Sequence, residues 1–214
     1  MPPIVDSYVL GPARENGYVV RADRGSAEAV VVDPGDDAAQ LRLDLARVGA
    51  RCAGILVTHC HWDHLGGVAD LAEGTGAPVY MSREEAPVLA SPDDFYAGFG
   101  VRIRPWAADV LLEGDETFEL AGLSFETVLV PGHSPAHLAF ATDGCLFSGD
   151  VLFAGGVGRV DLPGADWDTL VASIRSLFDR FPPETVVYPG HGVPTTLGAE
   201  LARNPFLAEL RTAP

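Results

Sequence analysis

The 214-residue chain contains no lysine; all 14 of its basic residues are arginine. Lysine Schiff bases, lysine nucleophiles and Walker-type phosphate loops are thereby excluded. An anionic substrate group has only Arg, backbone N–H or a metal ion to hold it. Positive charge is scarce as well, since 30 acidic residues against 14 basic ones give a formal net charge of −16. That potential repels phosphate backbones and anionic lipid headgroups, so neither nucleic acid nor membrane is expected as a partner. Cysteine is sparse: Cys52, Cys60 and Cys145 show no CxxC spacing, which excludes a disulfide scaffold. No stretch approaches the ~20 apolar residues of a membrane span. Met1-Pro2-Pro3-Ile4-Val5-Asp6 has neither the basic nor the long apolar region of an export signal, so a cytoplasmic location is expected.

A hydrophobic share of 47% is enough for a packed core, and 24 Gly with 17 Pro imply many shaped loops. At roughly 150 residues per domain, and with no linker-like stretch, residues 1–214 are expected to form a single domain. Short β-like runs at residues 4–10, 18–22 and 29–33 suggest a meander. An amphipathic helix with Leu41, Leu45 and Val48 on one face follows and ends at Gly49. A buried strand over residues 55–57, a helix over 65–72 and a strand over 77–81 make this section β-α-β-α-β and partly parallel. Residues 83–108 give a short helix near 83–89 and then no clear assignment. Strands are expected at 118–120, 123–130, 138–142 and 145–147, with turns at Ala121-Gly122 and Asp143-Gly144. A helix over 167–181, a strand over 185–188 and a helical tail close the chain. Two mixed sheets faced by helices, an α/β sandwich, is the architecture that follows.

Three of the six histidines fall in His59-Cys60-His61-Trp62-Asp63-His64, directly after an apolar strand and before a helix. Histidines at i and i+2 in extended backbone share a side, and the turn into the helix can bring Asp63 and His64 back toward them. His133, Asp150 and His191 each follow a predicted strand and lie beside a glycine. Imidazole and carboxylate without thiolate suit Zn²⁺, Fe or Mn²⁺. Five His and two Asp exceed what one tetrahedral ion uses, which points to two divalent ions about 3.5–4 Å apart with a shared bridging group. Alternation turns Cys60 away from its neighbours, into packing, and His137 reads as a supporting imidazole. Arg159 is either an anchor for a substrate carboxylate or a partner of Asp161 or Asp150. Trp62, Phe95, Tyr96, Phe99 and Trp106 are candidates to line a channel or to pack locally.

These residues, with Thr58 ahead of them, resemble the HxHxDH…H…D…H pattern of the metallo-β-lactamase superfamily over residues 30–192. The resemblance implies that family's αββα sandwich, a first metal on His59, His61 and His133, a second on Asp63, His64 and His191, and Asp150 between them. Asp63 would also orient the attacking water, and Asp33 in Val32-Asp33-Pro34-Gly35 would support the site from behind. Pro131-Gly132-His133-Ser134-Pro135-Ala136-His137, Gly158-Arg159-Val160-Asp161-Leu162-Pro163-Gly164 and Asn204-Pro205-Phe206-Leu207 resemble the glyoxalase II-like (hydroxyacylglutathione hydrolase-like) branch, in short bacterial form. That branch hydrolyses small-molecule thioesters of the S-lactoyl type, for which Zn is the first expectation. Two departures are visible: 23 residues follow His191, too few for the helical C-terminal domain of full-length glyoxalase II, and the family's glutathione-binding lysines have no counterpart. The main rival is a mononuclear iron persulfide dioxygenase of the same superfamily, using His59, His133 and Asp150. Lactone or β-lactam hydrolysis and a non-catalytic metal sensor are further alternatives. The oligomeric state is not legible.

Overall fold

A computed structural model describes residues 2–98 and 100–211. Three strands, β1 (Ile4–Leu10), β2 (Glu15–Arg21) and β3 (Glu28–Val32), pair antiparallel as a meander. Helix α1 (Ala38–Val48) begins where the Asp37 carboxylate accepts the Gln40 N–H and ends at Gly49, whose φ of 72° is the left-handed conformation glycine adopts without a Cβ clash. Strand β4 (Arg51–Leu56) lies parallel to β3. The turn-like α2 (Trp62–Leu65), α3 (Val68–Thr75) and β5 (Val79–Ser82) follow, then α4 (Ala86–Ala90), α5 (Pro92–Tyr96) and β6 (Val110–Leu112). These strands form one mixed sheet ordered β1-β2-β3-β4-β5-β6.

The second half repeats the plan with β7 (Thr117–Leu120), β8 (Leu123–Leu129), β9 (Leu138–Thr142) and β10 (Cys145–Gly149) in antiparallel succession. A small hairpin, β11 (Leu152–Phe153) with β12 (Gly156–Val157), precedes α6 (Trp167–Arg180). The crossover through α6 places β13 (Val186–Pro189) parallel to β10, and β14 (Thr195–Thr196) pairs antiparallel at its edge. Helix α7 (Leu197–Arg203) and a 3₁₀ segment (Pro205–Arg211) end the described chain. The second sheet runs β14-β13-β10-β9-β8-β7.

Side-chain alternation sets the layers. On β3, Ala29 and Val31 join α1 and α3 in an outer core, whereas Val30 and Val32 face the other sheet. On β9, Leu138 and Phe140 meet them in the central core, and Ala139 and Ala141 face α6 in a third. Strands apolar on both faces therefore need cover on both, and two sheets with outer helices supply it. The αββα sandwich read from the sequence is the fold observed.

Differences from expectation are local. The meander's second strand starts at Glu15, not residue 18, because Glu15 and Asn16 are buried despite their polarity. The helix expected over 65–72 is divided by Gly66 and Gly67 into α2 and α3. The unassigned stretch contains α5, and the strand β6 lies just beyond it. The aromatic Phe99 lies outside the described residues.

Candidate metal centre

The seven sequence-selected side chains are carried by the segments that follow β4, β8, β10 and β13, with Asp63 and His64 on the short α2, and the fold brings all seven together. His59, His61 and His133 form one group of potential ligand atoms, and Asp63, His64 and His191 form another, with all such atoms in a group within 4.8 Å of one another. Asp150 lies between them. One carboxylate oxygen is 3.5 Å from His133 Nε2 and 3.6 Å from His191 Nε2, and the other is 3.5 Å from His64 Nε2. Asp63 Oδ2 is 3.2 Å from His191 Nε2.

Ring orientation is fixed from behind. Thr58 Oγ1 donates to Asp33 at 2.7 Å and so accepts from His59 Nδ1–H at 3.0 Å. The Arg159 carbonyl can only accept, so His133 Nδ1 donates to it at 2.9 Å. Both imidazoles therefore turn bare Nε2 lone pairs toward His61 Nδ1, at 3.0 and 2.8 Å. A neutral His61 has at most one proton there, so a donor is missing among three converging nitrogens. Burial, reinforced by neighbouring imidazoles, holds His59 far below the ordinary histidine range and His61 down at about 4; burial also lowers His133. At neutral pH this is a cradle of converging neutral nitrogen donors, and a divalent ion fits it.

The second group differs in charge. His64 is fully buried, and its Nδ1 donates to Asp33 Oδ2 at 2.9 Å. Its Nε2 has no hydrogen-bond partner among the described residues, nor has Asp150 Oδ1. Burial opposes the imidazolium, but the Asp33 and Asp150 carboxylates outweigh it and raise the His64 pKa well above normal. The hydrogen bond to Asp63 raises His191. Burial would raise the two acids, yet the surrounding imidazoles hold both Asp63 and Asp150 below the usual carboxylate range. Two orphaned buried atoms facing each other between acids and imidazoles also suit a cation.

Asp33 occupies the supporting position expected of it: Oδ1 accepts the Thr58 N–H at 2.8 Å, and Oδ2 holds both the Thr58 hydroxyl and His64. His137 is buried and stacked on His59 at 4.5 Å, accepting the Asp150 N–H at 3.1 Å. Two glycines are required by close approach: a Cβ at Gly190 would overlap the Asp150 carboxylate and the His64 ring, and one at Gly158 would overlap the Asp150 carbonyl.

Two buried acids escaped the sequence reading. Glu85 accepts the Cys60 N–H at 2.7 Å with one oxygen and the Ala136 N–H at 2.8 Å with the other. It ties the loop of His59 and His61 to the loop of His133. Glu15 is 0% exposed and 3.7 Å from His64 Nδ1, and burial raises its pKa well above normal. No local signal marks either acid. Glu84 beside Glu85 is exposed, and Glu15 directly follows the turn Gly11-Pro12-Ala13-Arg14, where a charged residue is ordinarily solvated.

The group opens into a cavity of about 650 Å³ whose floor includes His61, Asp63, His133, Asp150 and His191. Trp62, Phe95, Tyr96, Phe153, Val157 and Leu162 are among its walls. Cys60 also reaches the lining while packing on the first core, and Trp106 packs on that core away from the lining. Arg159 stands at the cavity with its guanidinium paired to both Asp161 oxygens at 2.6 and 2.7 Å, which settles its partner as Asp161 and not Asp150.

An αββα sandwich carrying clustered imidazoles and carboxylates on its loops defines a metal-dependent enzyme class. The family model of the metallo-β-lactamase superfamily matches residues 10–191, and the chain belongs to that superfamily. The hydroxyacylglutathione hydrolase GloC of Haemophilus influenzae is 34% identical over 84% of this chain and 87% of its own. Among solved structures, the BLEG-1 B3 metallo-β-lactamase is 37% identical, with a TM-score of 0.90 over 96% of this chain and 100% of its own. TTHA1623 in a di-iron-bound form is 42% identical, with a TM-score of 0.82 over 95% and 100%. No helix among the described residues is long and apolar enough to cross a membrane.

Proposed function

We propose that the protein is a metal-dependent hydrolase that cleaves thioesters of small thiols, a glyoxalase II-like activity. His59, His61 and His133 would hold one divalent ion, Asp63, His64 and His191 a second, and Asp150 would face both. The observation that carries this reading is the meeting of two three-residue ligand groups at Asp150 on the floor of an open cavity. The likeness to GloC supports the substrate class.

Divalent ions held there would lower the pKa of water to about 7 and polarise a carbonyl. The chain's own contribution is positional. Asp63 stays ionised, so it accepts a hydrogen bond from water and orients it toward a carbonyl entering from the cavity. Asp33, Thr58 and the Arg159 carbonyl keep the imidazole lone pairs aimed inward. A leaving thiol with a pKa near 8.5 departs as thiolate without a dedicated acid.

A second reading, iron-dependent oxidation of a thiol persulfide, has its own support. The metal named for the 42% identical relative is iron, which favours iron more directly than any comparison favours zinc. Metal analysis of protein from its native host, with S-lactoyl thioesters, a glutathione persulfide and a β-lactam assayed side by side, separates these outcomes. Thioester cleavage without oxygen uptake is expected. Stoichiometric iron with persulfide-dependent oxygen uptake and no cleavage would install the second reading, and cleavage of the β-lactam alone would install a third suggested by BLEG-1.

A further inference from the structure

We propose, resting on the thioesterase reading, that the leaving thiol is an uncharged one with an apolar arm, and that anionic thiols such as glutathione are poor substrates. The cavity walls are aromatic and aliphatic, with Trp62, Phe95 and Phe153 among them, while the floor gathers Asp63 and Asp150 with the imidazoles of His61, His133 and His191. Arg159 is the only arginine of the lining among the described residues, and Asp161 already occupies its guanidinium fork through two hydrogen bonds. The chain has no lysine to add. A thiol bearing two carboxylates would desolvate them against rings with no free side-chain cation to pair, would have to displace Asp161 from Arg159, or would compete with the thioester carbonyl for the metal ions. An uncharged arm meets neither cost and covers the apolar wall. The reaction balances as a hydrolysis: the acyl carbon–sulfur bond breaks, a carbon–oxygen bond to water forms, and one water proton returns to the thiolate while the other leaves with the carboxylic acid.

The test uses a matched pair on the metal-loaded protein, S-hexylglutathione and its N-acetyl diethyl ester, which has the same skeleton without charge. Neither carries a thioester, so calorimetry reads binding without release of the thiol. The neutral ligand is expected to bind about tenfold tighter or better. Asp161→Asn should narrow that ratio several-fold, because it frees Arg159 for the charged ligand; mere greasiness of the ester would leave the ratio unmoved. The S-lactoyl thioesters of glutathione and of its N-acetyl diethyl ester are then assayed for turnover, with the same order expected in kcat/KM. Equal or tighter binding of the charged ligand, or a ratio indifferent to Asp161→Asn, overturns the inference even where thioesters are cleaved. No turnover of either thioester removes the thioesterase reading, and the leaving-thiol assignment with it.

Discussion

The two ligand groups share the segment after β4, the first completed from the loop after β8 and the second from the loop after β13, yet they have opposite electrostatic characters. His59, His61 and His133 are three imidazoles pushed toward neutrality by burial. Asp63, His64 and His191 are an acid and two imidazoles whose affinity for protons is raised by carboxylates. The difference traces to Asp33 behind His64 and Asp63 beside His191, because Asp150 is near members of both groups. In the first group a cation meets vacant lone pairs; in the second it must displace protons. Two sites of one fold can therefore fill in different pH ranges without any difference in ligand count.

The comparison breaks most completely at Asp150, which belongs to both sides. Asp150→Ala should reduce metal stoichiometry in both groups and depress turnover by more than the roughly 10–100-fold typical of a supporting residue. Elemental analysis with steady-state kinetics checks it, and retention of either group's metal at wild-type affinity would refute the shared position. A smaller effect is expected at Glu85, which touches neither group but spans the loops of the first. Glu85→Ala should weaken metal affinity about 10–100-fold, and Glu85→Gln, which keeps one acceptor oxygen for the two N–H groups, should fall between it and wild type. The loss should be confined to the first of two binding steps in a metal titration; an equal loss in both would make Glu85 a general stabiliser.

Proton release sharpens the same contrast. Metal added at pH 7 should displace few protons on filling the first group, since burial favours its neutral imidazoles, and more on filling the second, where carboxylates raise the proton affinity of His64 and His191. Titration calorimetry in buffers of differing ionisation enthalpy counts those protons. Equal release in both steps would remove the electrostatic distinction between the two groups.

Legibility in the sequence follows the same physics. The layers could be read because β3 and β9 alternate between two apolar cores, a period that survives in one dimension. The seven candidate residues could be picked out because clustered histidines and acids at strand ends are hard to explain by packing, and Gly149 and Gly190, beside Asp150 and His191, show a steric reason for glycine there. Glu15 and Glu85 could not, since their burial depends on partners 49 and 51 positions away, His64 and Ala136. Arg159 stayed ambiguous for a related reason: the turn that aims its fork at Asp161, two residues on, is set by the backbone of the loop. The short strands β11 and β12 went unseen because two-residue pairings carry no periodicity.

The smallest expected effect concerns the metal-free protein. The folded pKa values of His59, His61, His133 and His137 are depressed, by burial first and then by neighbouring imidazoles or, for His133, against the pull of Asp150. Below the unfolded histidine value of about 6.5, the unfolded chain binds protons at these positions that the native chain refuses. Their contribution to stability is therefore complete above that pH and is lost as the pH falls toward about 4, the value for His61. His64 and His191 act in the opposite sense, since their raised values add stability in acid and lose it as pH rises through the folded pKa. Four depressed imidazoles against two raised ones give a net loss on acidification. With chelator present, Tm should fall between pH 7 and pH 5 by at least the 2–4 °C that about 1 kcal/mol produces in a chain of this size. His61→Asn should flatten that slope, and a Tm that rises on acidification would mean that the carboxylate-bound pair governs the whole cluster.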